Sequence, residues 1–296
     1  MYYFLEYEEP LFRPPSEAQS LILQATIGCS QNRCKFCGMY KMKRFRVRAV
    51  AELAADLQRL PVEVRHSVKR VFLADGDALI MPFDDLMALL DLLHQQLPAL
   101  TRVSSYASPK SLLSKSFEQL QQLRSRKLRI LYFGLESGDD ETLRLADKGY
   151  DAATMREQAL KARQAGMKLS VTAILGLAGR QRTQQHAVAT AEWVNAVSPE
   201  YFSLLTMFHR HNEAFYRSIE PLSHGEILRE TVVMLEHLHP QRTILRSNHV
   251  SNFLNLAGSY PKDRQALIAT ARQALEMGRK QRQWFDDIPA YREQMY

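Results

Sequence analysis

The most informative stretch of this chain reads Ile27-Gly28-Cys29-Ser30-Gln31-Asn32-Arg33-Cys34-Lys35-Phe36-Cys37-Gly38-Met39-Tyr40. It holds all three cysteines of the 296-residue protein within nine positions. Thiolates this close together repel one another, so they are best explained as ligands of a metal ion or cluster. A zinc site takes four protein ligands, or three and a water, and a 4Fe–4S cluster on three cysteines leaves one iron open. The sequence favours the cluster, with a three-cysteine zinc site as the alternative.

Length and composition suit one large α/β domain with an appendage, and a hydrophobic content of 46% is ample for its core. The first residues lack the basic start and apolar run of a signal peptide. No apolar stretch approaches the roughly 20 residues needed to span a bilayer. With no disulfide pattern, the sequence predicts a cytoplasmic protein in a reducing compartment, with no membrane partner.

The chain is basic, with a formal net charge of +7 and a pI near 9.3. Seven basic residues fall within sixteen positions that contain no acid: Arg33, Lys35, Lys41, Lys43, Arg44, Arg46 and Arg48. They can offset the negative charge of a cluster, meet an acidic electron donor, or bind a phosphate-bearing substrate. We favour the first two roles over RNA binding, which remains an alternative, as does an ordinary solvated surface.

Strand-like and helix-like segments alternate regularly through the first two thirds of the chain. The predicted strands cover residues 21–26, 68–74, 101–107, 128–135, 167–175 and 201–207. The predicted helices cover residues 50–60, 84–97 (capped by Asp84), 112–125, 140–147, 152–165 and 183–197. This alternation predicts an α/β fold with a parallel sheet. Six such units indicate a partial (β/α)6 TIM-like barrel, with its chemistry at the C-terminal ends of the strands.

Three segments are expected: an extended, proline-containing leader over residues 1–20, the barrel over residues 21–207, and an appendage over residues 208–296. The appendage is predicted to be mainly helical, with long helices over residues 224–239 and 262–283. Between these helices lies an unusually polar stretch, Arg246-Ser247-Asn248-His249-Val250-Ser251-Asn252.

The cysteine stretch resembles the cluster loop of radical S-adenosylmethionine (SAM) enzymes. A strand-like segment leads into Gly28-Cys29, and the aromatic Phe36 precedes the last cysteine. Four and two residues separate the cysteines here, whereas three and two are usual in that superfamily. The resemblance implies that Cys29, Cys34 and Cys37 hold a 4Fe–4S cluster and that SAM chelates its fourth iron.

The turn Asp75-Gly76-Asp77 follows the second predicted strand, where radical SAM enzymes carry a Gly-Gly-Glu-like turn for the amino group of SAM. Glycine lets the backbone come close, and carbonyl and carboxylate oxygens accept hydrogen bonds from an ammonium. An ordinary strand-ending turn is the alternative, because Asp and Gly favour turns. Ser104, on the third predicted strand, is also expected at the cofactor.

The segment Gly134–Leu143, with Asp147-Lys148-Gly149 after it, resembles the fourth-strand segment of one radical SAM branch. That branch contains the elongator catalytic subunit, the methylthiotransferases and anaerobic coproporphyrinogen oxidase. The resemblance places Glu136 at the ribose and methionine end of SAM, with Lys148 also at the cofactor. Capping of the next helix is the alternative role for an acid here, and it suits Asp139 and Asp140 better.

The segment Ala173–Gly179 resembles the fifth-strand segment that flanks adenine, which implies that Leu175 and Gly176 contact SAM. Phe36 is expected near adenine by the same analogy, or simply as a cover for the cluster. The leader, at Pro10-Leu11-Phe12-Arg13-Pro14-Pro15-Ser16, and the polar stretch of the appendage resemble a group of small radical SAM proteins to which no substrate is assigned. His249, Asn248 and His209 are the candidate catalytic residues there. A structural histidine that fastens the appendage is the alternative for His249.

The resemblance implies an enzyme that reductively cleaves SAM to methionine and a 5′-deoxyadenosyl radical, which removes hydrogen from an unknown substrate. It also implies an external electron donor of the flavodoxin or ferredoxin type, and we expect a small-molecule substrate rather than RNA. The three cysteines leave none for an auxiliary cluster. A non-catalytic iron–sulfur or zinc module that binds nucleic acid is the alternative, and a simple electron carrier is a third possibility.

Overall fold

The computed structural model describes residues 4–209 and 211–289. The ends of the predicted leader and appendage, residues 1–3 and 290–296, lie outside the described residues. The chain forms two compact units. The first unit combines Met1–Asn32, Met39–Phe133 and Gln158–Leu169, and the second combines Arg33–Gly38, Gly134–Glu157 and Ser170–Tyr296. The predicted three-segment division follows other boundaries and stays a prediction.

Eight strands of the described chain belong to a mostly parallel sheet, and two short strands form a separate ladder. The strands are β1 (Leu21–Gln24), β2 (Thr26–Ile27), β3 (Arg46–Val47), β4 (Arg70–Ala74), β5 (Arg102–Ala107), β6 (Leu128–Glu136), β7 (Lys168–Leu175), β8 (Tyr201–Thr206), β9 (Ile244–Arg246) and β10 (Ala257–Ser259). In the first unit β1, β4, β5 and β6 are parallel neighbours in that order, and β2 pairs with β3 in antiparallel fashion. The predicted α/β class is therefore confirmed.

Helices separate the strands along the chain. They are α1 (Val50–Arg59), α2 (Val62–Ser67), α3 (Phe83–Gln96), α4 (Pro109–Leu113), α5 (Phe117–Ser125), α6 (Asp140–Leu145), α7 (Ala152–Gln164), α8 (Gly179–Val197), α9 (Glu213–Ser218), α10 (His224–His237), α11 (Arg264–Arg279) and α12 (Arg282–Asp286). Leucine-rich faces of α1 and α3 are fully buried in the first unit, as their helical spacing predicts.

Two predicted helices are interrupted in the structure. The segment 112–125 is split into α4 and α5, because Ser116 caps a new helix by accepting a hydrogen bond from the Gln119 amide at 3.2 Å. The segment 262–283 divides into α11 and α12. Asp84 is not the cap of α3: the helix already begins at Phe83, and Asp84 lies in the first turn, where a negative charge suits the helix dipole.

The C-terminal segment is mainly helical, but it also adds two strands that the sequence did not reveal. In the second unit β7, β8 and β9 are parallel neighbours, and β10 pairs antiparallel with β9. Each added strand has only three residues, which is too short for an alternating pattern to be recognised. The polar stretch after β9 is consequently fixed at its start by the sheet.

The leader belongs to the first unit, and its expected extended course is interrupted by a 3-10 helix at Pro15–Glu17. Glu8 exchanges hydrogen bonds with Gln24 of β1, at 2.9 and 3.0 Å. Farther along, the buried Glu17 accepts hydrogen bonds from Tyr132 at 2.6 Å and from Arg102 at 2.9 and 3.0 Å. Burial and the adjacent Glu17 raise the pKa of Tyr132, so its hydroxyl remains a donor to the carboxylate. These contacts anchor the leader to β1, β5 and β6.

A search of the described residues finds no helix both long enough and apolar enough to cross a bilayer. The predicted cytoplasmic location stays a prediction.

Candidate functional site

In the first unit, Cys29 follows the short strand β2 and is half-buried. Gly28, just before it, has φ +74°, a conformation that favours glycine. A Cβ on Gly28 would lie 3.3 Å from the Cβ of Lys43. Gly28 therefore supplies both the turn and the room that place Cys29 at the end of β2.

Asp75 is the main anchor of this turn. Its carboxylate accepts hydrogen bonds from the Gly28 amide at 3.0 Å, from Gln24 at 3.1 Å and from Lys43 at 2.9 Å. The side chains of Lys43 and Asp75 are only 2% and 0% exposed. Burial raises the pKa of Asp75, while the hydrogen bonds from Lys43, Gly28 and Gln24 oppose that rise. Both carboxylate oxygens of Asp75 thus have partners within the unit, a structural role that the sequence did not reveal.

Gly76 and Asp77 complete the turn. A Cβ on Gly76 would come within 2.9 Å of the Cβ of Cys29 and 2.8 Å of the Tyr40 ring, so only glycine fits between them. Asp77 accepts hydrogen bonds from Ser30, in the cysteine loop, and from Ser108 at 2.7 Å. The structure therefore brings the predicted turn and Cys29 together.

Oδ1 of Asp77, in the turn after β4, and Oγ of Ser104, on β5, are buried and have no hydrogen-bond partner within the described residues. Burial raises the pKa of Asp77, although the serine hydroxyls oppose that rise. Burial lowers the pKa of Lys115, against the attraction of Asp77. Because unpaired buried polar atoms are costly, these two atoms suit a polar group of a ligand or a water.

In the second unit, backbone hydrogen bonds fasten the segment with Cys34 and Cys37. The Lys35 amide donates to the Ala146 carbonyl at 2.9 Å, and the Asn212 side chain donates to the Phe36 carbonyl at 2.7 Å. Phe36 is half-buried against an apolar cluster that includes Leu177, Met207 and Phe215. Its ring is thus packed on one side, which is compatible with either role expected from the sequence.

Glu136 ends β6 with φ +66°, a left-handed conformation that costs a side-chain-bearing residue about 1 to 2 kcal/mol. Its carboxylate is 3.1 Å from Nζ of Lys148, and both side chains are nearly buried. A Cβ on Gly134 would collide with this carboxylate, so Gly134 supplies the space for it. The structure therefore joins two of the predicted cofactor residues in one ion pair. Asp139, in contrast, caps α6 by accepting a hydrogen bond from the Thr142 amide at 2.9 Å, which is the capping role that the sequence suggested for it.

Gly176 follows β7 with φ +80°, and its amide donates to Glu230 of α10 at 2.7 Å. Leu175 beside it is buried. Glu230 also accepts a hydrogen bond from Thr183 and lies 3.8 Å from Nε2 of the buried His186. Burial raises the pKa of Glu230, which His186, Thr183 and the Gly176 amide oppose. Sequence reasoning missed Glu230, because an isolated acid on a helix carries no recognisable signal.

The polar stretch reaches the C-terminal end of β8. Thr206, the last residue of that strand, donates from its amide to Ser251 at 3.1 Å and from its hydroxyl to Asn252 at 2.8 Å. His249 Nδ1 lies 2.8 Å from the Ser251 hydroxyl, and burial lowers the pKa of His249. The stretch therefore sits at the strand end where the sequence places chemistry.

The other two catalytic candidates are exposed. Asn248 lies on the surface beside His249. His209 is 42% exposed and 3.7 Å from Glu213, in the next turn of the chain. Neither arrangement by itself indicates a reaction.

Four of the seven basic residues between Arg33 and Arg48 form salt bridges with carboxylates. Arg33 pairs with Asp147, Lys43 with Asp75, Arg46 with Glu52, and Arg48 with Glu52 and Asp56. Within residues 4–209 and 211–289, no salt bridge to a carboxylate joins Lys35, Lys41 or Arg44. Three cations of the original seven are thus left to face solvent or a partner.

A model of the family described as the radical SAM superfamily matches residues 23–194. The match spans the cysteine stretch and every predicted SAM-binding residue. A comparison with curated proteins finds no match.

Several solved structures have a similar fold. Coproporphyrinogen III oxidase (HemN) from Escherichia coli, a radical SAM enzyme, is 20% identical, with a TM-score of 0.54 over 73% of this chain and 52% of that one. Methylornithine synthase (PylB) is 13% identical, with a TM-score of 0.54 over 87% and 81%. HydG, a maturase of the [FeFe]-hydrogenase, is 12% identical, with a TM-score of 0.53 over 92% and 60%. The predicted radical SAM fold is confirmed, and the chain spans about half the length of the E. coli oxidase.

Proteins of this superfamily bind a 4Fe–4S cluster and SAM. The donor set here fits that cluster, because the chain offers three cysteines that form no disulfide and lie on one loop. Within the described residues, no three His, Cys, Asp or Glu side chains are placed to hold a single metal ion. A 4Fe–4S cluster does not need its three cysteines to converge on one metal ion, since each cysteine binds a different iron.

We predict that Lys43→Met impairs the cysteine loop. The change leaves Asp75 buried without its cation, a loss that costs about 3 to 5 kcal/mol when a buried pair is broken. The variant should unfold at a lower temperature and retain less iron after anaerobic reconstitution.

The exposed Lys69, just before β4, provides the matched control as Lys69→Met. Iron content and unfolding temperature equal to those of the wild type in Lys43→Met would show that the ion pair does not fix the loop.

Proposed function

The chain belongs to the radical SAM superfamily, and from this premise we propose that it is an enzyme that reductively cleaves SAM and removes a hydrogen atom from a small-molecule substrate. Cys29, Cys34 and Cys37 would hold the 4Fe–4S cluster, and an external donor would supply the electron. The three isolated cysteines on one loop carry this proposal, supported by the buried turn that fixes the first of them.

With one electron from the external donor, the bound cluster and SAM would supply a 5′-deoxyadenosyl radical as the hydrogen acceptor, and methionine would be released. The protein's own residues bind and orient the cofactor. The turn Asp75–Asp77 offers its backbone and the unpartnered Oδ1 of Asp77 to an ammonium, and Ser104 offers a buried hydroxyl. Because Asp75 is fully occupied by its own partners, Asp77 is the better acceptor in this turn.

On the second unit, Glu136 would accept hydrogen bonds from the hydroxyl groups of the ribose, while Lys148 keeps its carboxylate oriented. Leu175 and Gly176 would flank adenine, and the hydrogen bond from the Gly176 amide to Glu230 fixes that turn. Phe36 would add an apolar surface. The strained backbone at Glu136 supports this role, since such strain concentrates at functional sites.

The polar stretch 246–252 is proposed to contact the substrate. Its hydrogen bonds to Thr206 hold it at the end of β8, and His249 presents an imidazole there whose pKa burial lowers. A neutral imidazole can donate or accept one proton without adding charge. No observation favours the alternative of a non-catalytic module that binds nucleic acid.

The direct test is cleavage of SAM under anaerobic reduction. The wild type, reconstituted to about four irons per chain as clusters of this type require, should form 5′-deoxyadenosine. Cys34→Ala should lose the brown chromophore and this product. Stoichiometric zinc in the native protein, without iron uptake on reconstitution, would contradict the proposal.

Glu136→Gln should keep the iron and weaken SAM binding. Losing one charge-assisted hydrogen bond costs about 1 to 3 kcal/mol, which calorimetry with the reconstituted protein would detect. Glu141→Gln, a change at a partly exposed acid on the following helix that pairs with Arg144, is the matched control. Equal SAM affinity in wild type and Glu136→Gln would show that this carboxylate does not contact the cofactor.

His249→Ala should preserve iron content and SAM affinity while lowering substrate-dependent formation of 5′-deoxyadenosine. Until a substrate is identified, uncoupled SAM cleavage is the available readout, and the variant should leave it within about twofold of wild type, as a group beyond the cofactor would. His237→Ala, on an exposed face of α10, serves as the control. Loss of SAM binding in His249→Ala would instead assign the residue to the cofactor.

A further inference from the structure

The segment just after the last cysteine has two sides of different character. In the first unit Tyr40 and Lys43 point inward and are buried. Between and beside them lie the exposed side chains of Met39, Lys41, Met42, Arg44 and Phe45, which we name the docking face. Met42 is 55% exposed, and Met39 and Phe45 are each 36% exposed.

The inward side of this segment is held firmly beside Cys29. The Tyr40 ring packs on Gly76, which also contacts the Cβ of Cys29, and it meets the Phe12 ring edge-on with the centroids 5.5 Å apart. Lys43 is fixed by its ion pair with Asp75. The docking face therefore belongs to a segment whose buried side chains are held next to the first cysteine.

The composition of this face is that of a protein interface. Methionine, aromatic residues and arginine are enriched at the centres of such interfaces. Folded proteins do not usually expose neighbouring large apolar side chains without a binding role. Three such side chains within seven positions therefore indicate a contact surface.

The charge of the face indicates the kind of partner. Lys41 and Arg44 have no carboxylate partner within residues 4–209 and 211–289, while their neighbours Lys43 and Arg46 are paired. Residues 33–48 contain no acid. Lys41 donates a hydrogen bond to the Asn32 carbonyl at 2.9 Å, which does not neutralise its charge. Two cations without a carboxylate partner, interleaved with apolar side chains, complement an acidic surface that has an apolar centre, and opposite charges steer such partners together.

From these observations we propose that the docking face binds an acidic electron-donor protein, one with a reduced flavin or iron–sulfur centre near its surface. This inference rests on the proposed function, because the donor loses one electron and the cluster bound by Cys29, Cys34 and Cys37 would gain it. The rigid attachment of Tyr40 and Lys43 would keep the distance between the two redox centres fixed during that transfer.

The test uses the reconstituted full-length protein and a purified acidic flavodoxin as the probe. Lys41→Glu/Arg44→Glu reverses the two free charges, and Met42→Ser/Phe45→Ser removes apolar contact without changing charge. Lys69→Glu and Val62→Ser, at exposed positions elsewhere in the first unit, are the matched controls. Binding is measured by calorimetry, and electron transfer by the absorbance of the reduced flavodoxin on mixing.

Both docking-face variants should bind flavodoxin about tenfold more weakly and accept its electron about tenfold more slowly. Reversed charge slows association, and loss of the apolar side chains weakens the complex once it has formed. The charge-reversed variant should also lose most of the salt dependence seen in the wild type. All variants should keep wild-type iron content and full reduction by dithionite, which needs no docking.

Flavodoxin rates equal to wild type in both variants, or an equal loss in the control variants, would overturn the docking proposal while leaving the cluster intact. Unchanged flavodoxin binding with loss of RNA binding in the charge-reversed variant would assign the face to nucleic acid and also overturn it. A protein that takes up no iron would remove the proposed function and the docking proposal together.

Discussion

The ion pair of Lys43 and Asp75 is the interaction on which the cysteine loop depends. It joins the chain after the last cysteine to the turn after β4, and the same carboxylate holds the Gly28 amide just before Cys29. Both side chains are almost fully buried, so their removal from water is costly. The ion pair offsets that cost only when the remaining donors and acceptors also form hydrogen bonds. Gln24 and the carbonyl of Glu8 use it, so the leader and β1 are fastened to the same point.

The second unit uses the same device at another strand end. There the buried Glu230 accepts the amide of Gly176, as Asp75 accepts that of Gly28, and both glycines have positive φ. A buried carboxylate fixes such a turn better than a neutral acceptor, because hydrogen bonds to a charged group are stronger. Each unit therefore holds a glycine turn rigid next to residues proposed to bind the cluster or SAM.

The sequence predicted the elements whose signal is local and periodic. The alternation of buried strands with amphipathic helices gave the α/β class, and three close cysteines indicated a cluster before any fold was known. The interruption between α4 and α5 depends on one capping serine, Ser116, and three-residue strands such as β9 are too short for a pattern. The partners of Asp75 and Glu230 are distant in sequence, so only the fold could reveal them. The one sequence feature that pointed to a separate role for Asp75 was that it stands where such turns usually have a glycine.

The central claim is that three cysteines leave one iron for SAM. Mössbauer spectroscopy of protein reconstituted with iron-57 tests it most directly, because it resolves individual iron sites. Adding SAM should change the signal of one iron in each four-iron cluster and leave the other three unaltered. Spectra that stay the same with SAM, in protein with a full complement of iron and sulfide, would contradict the claim.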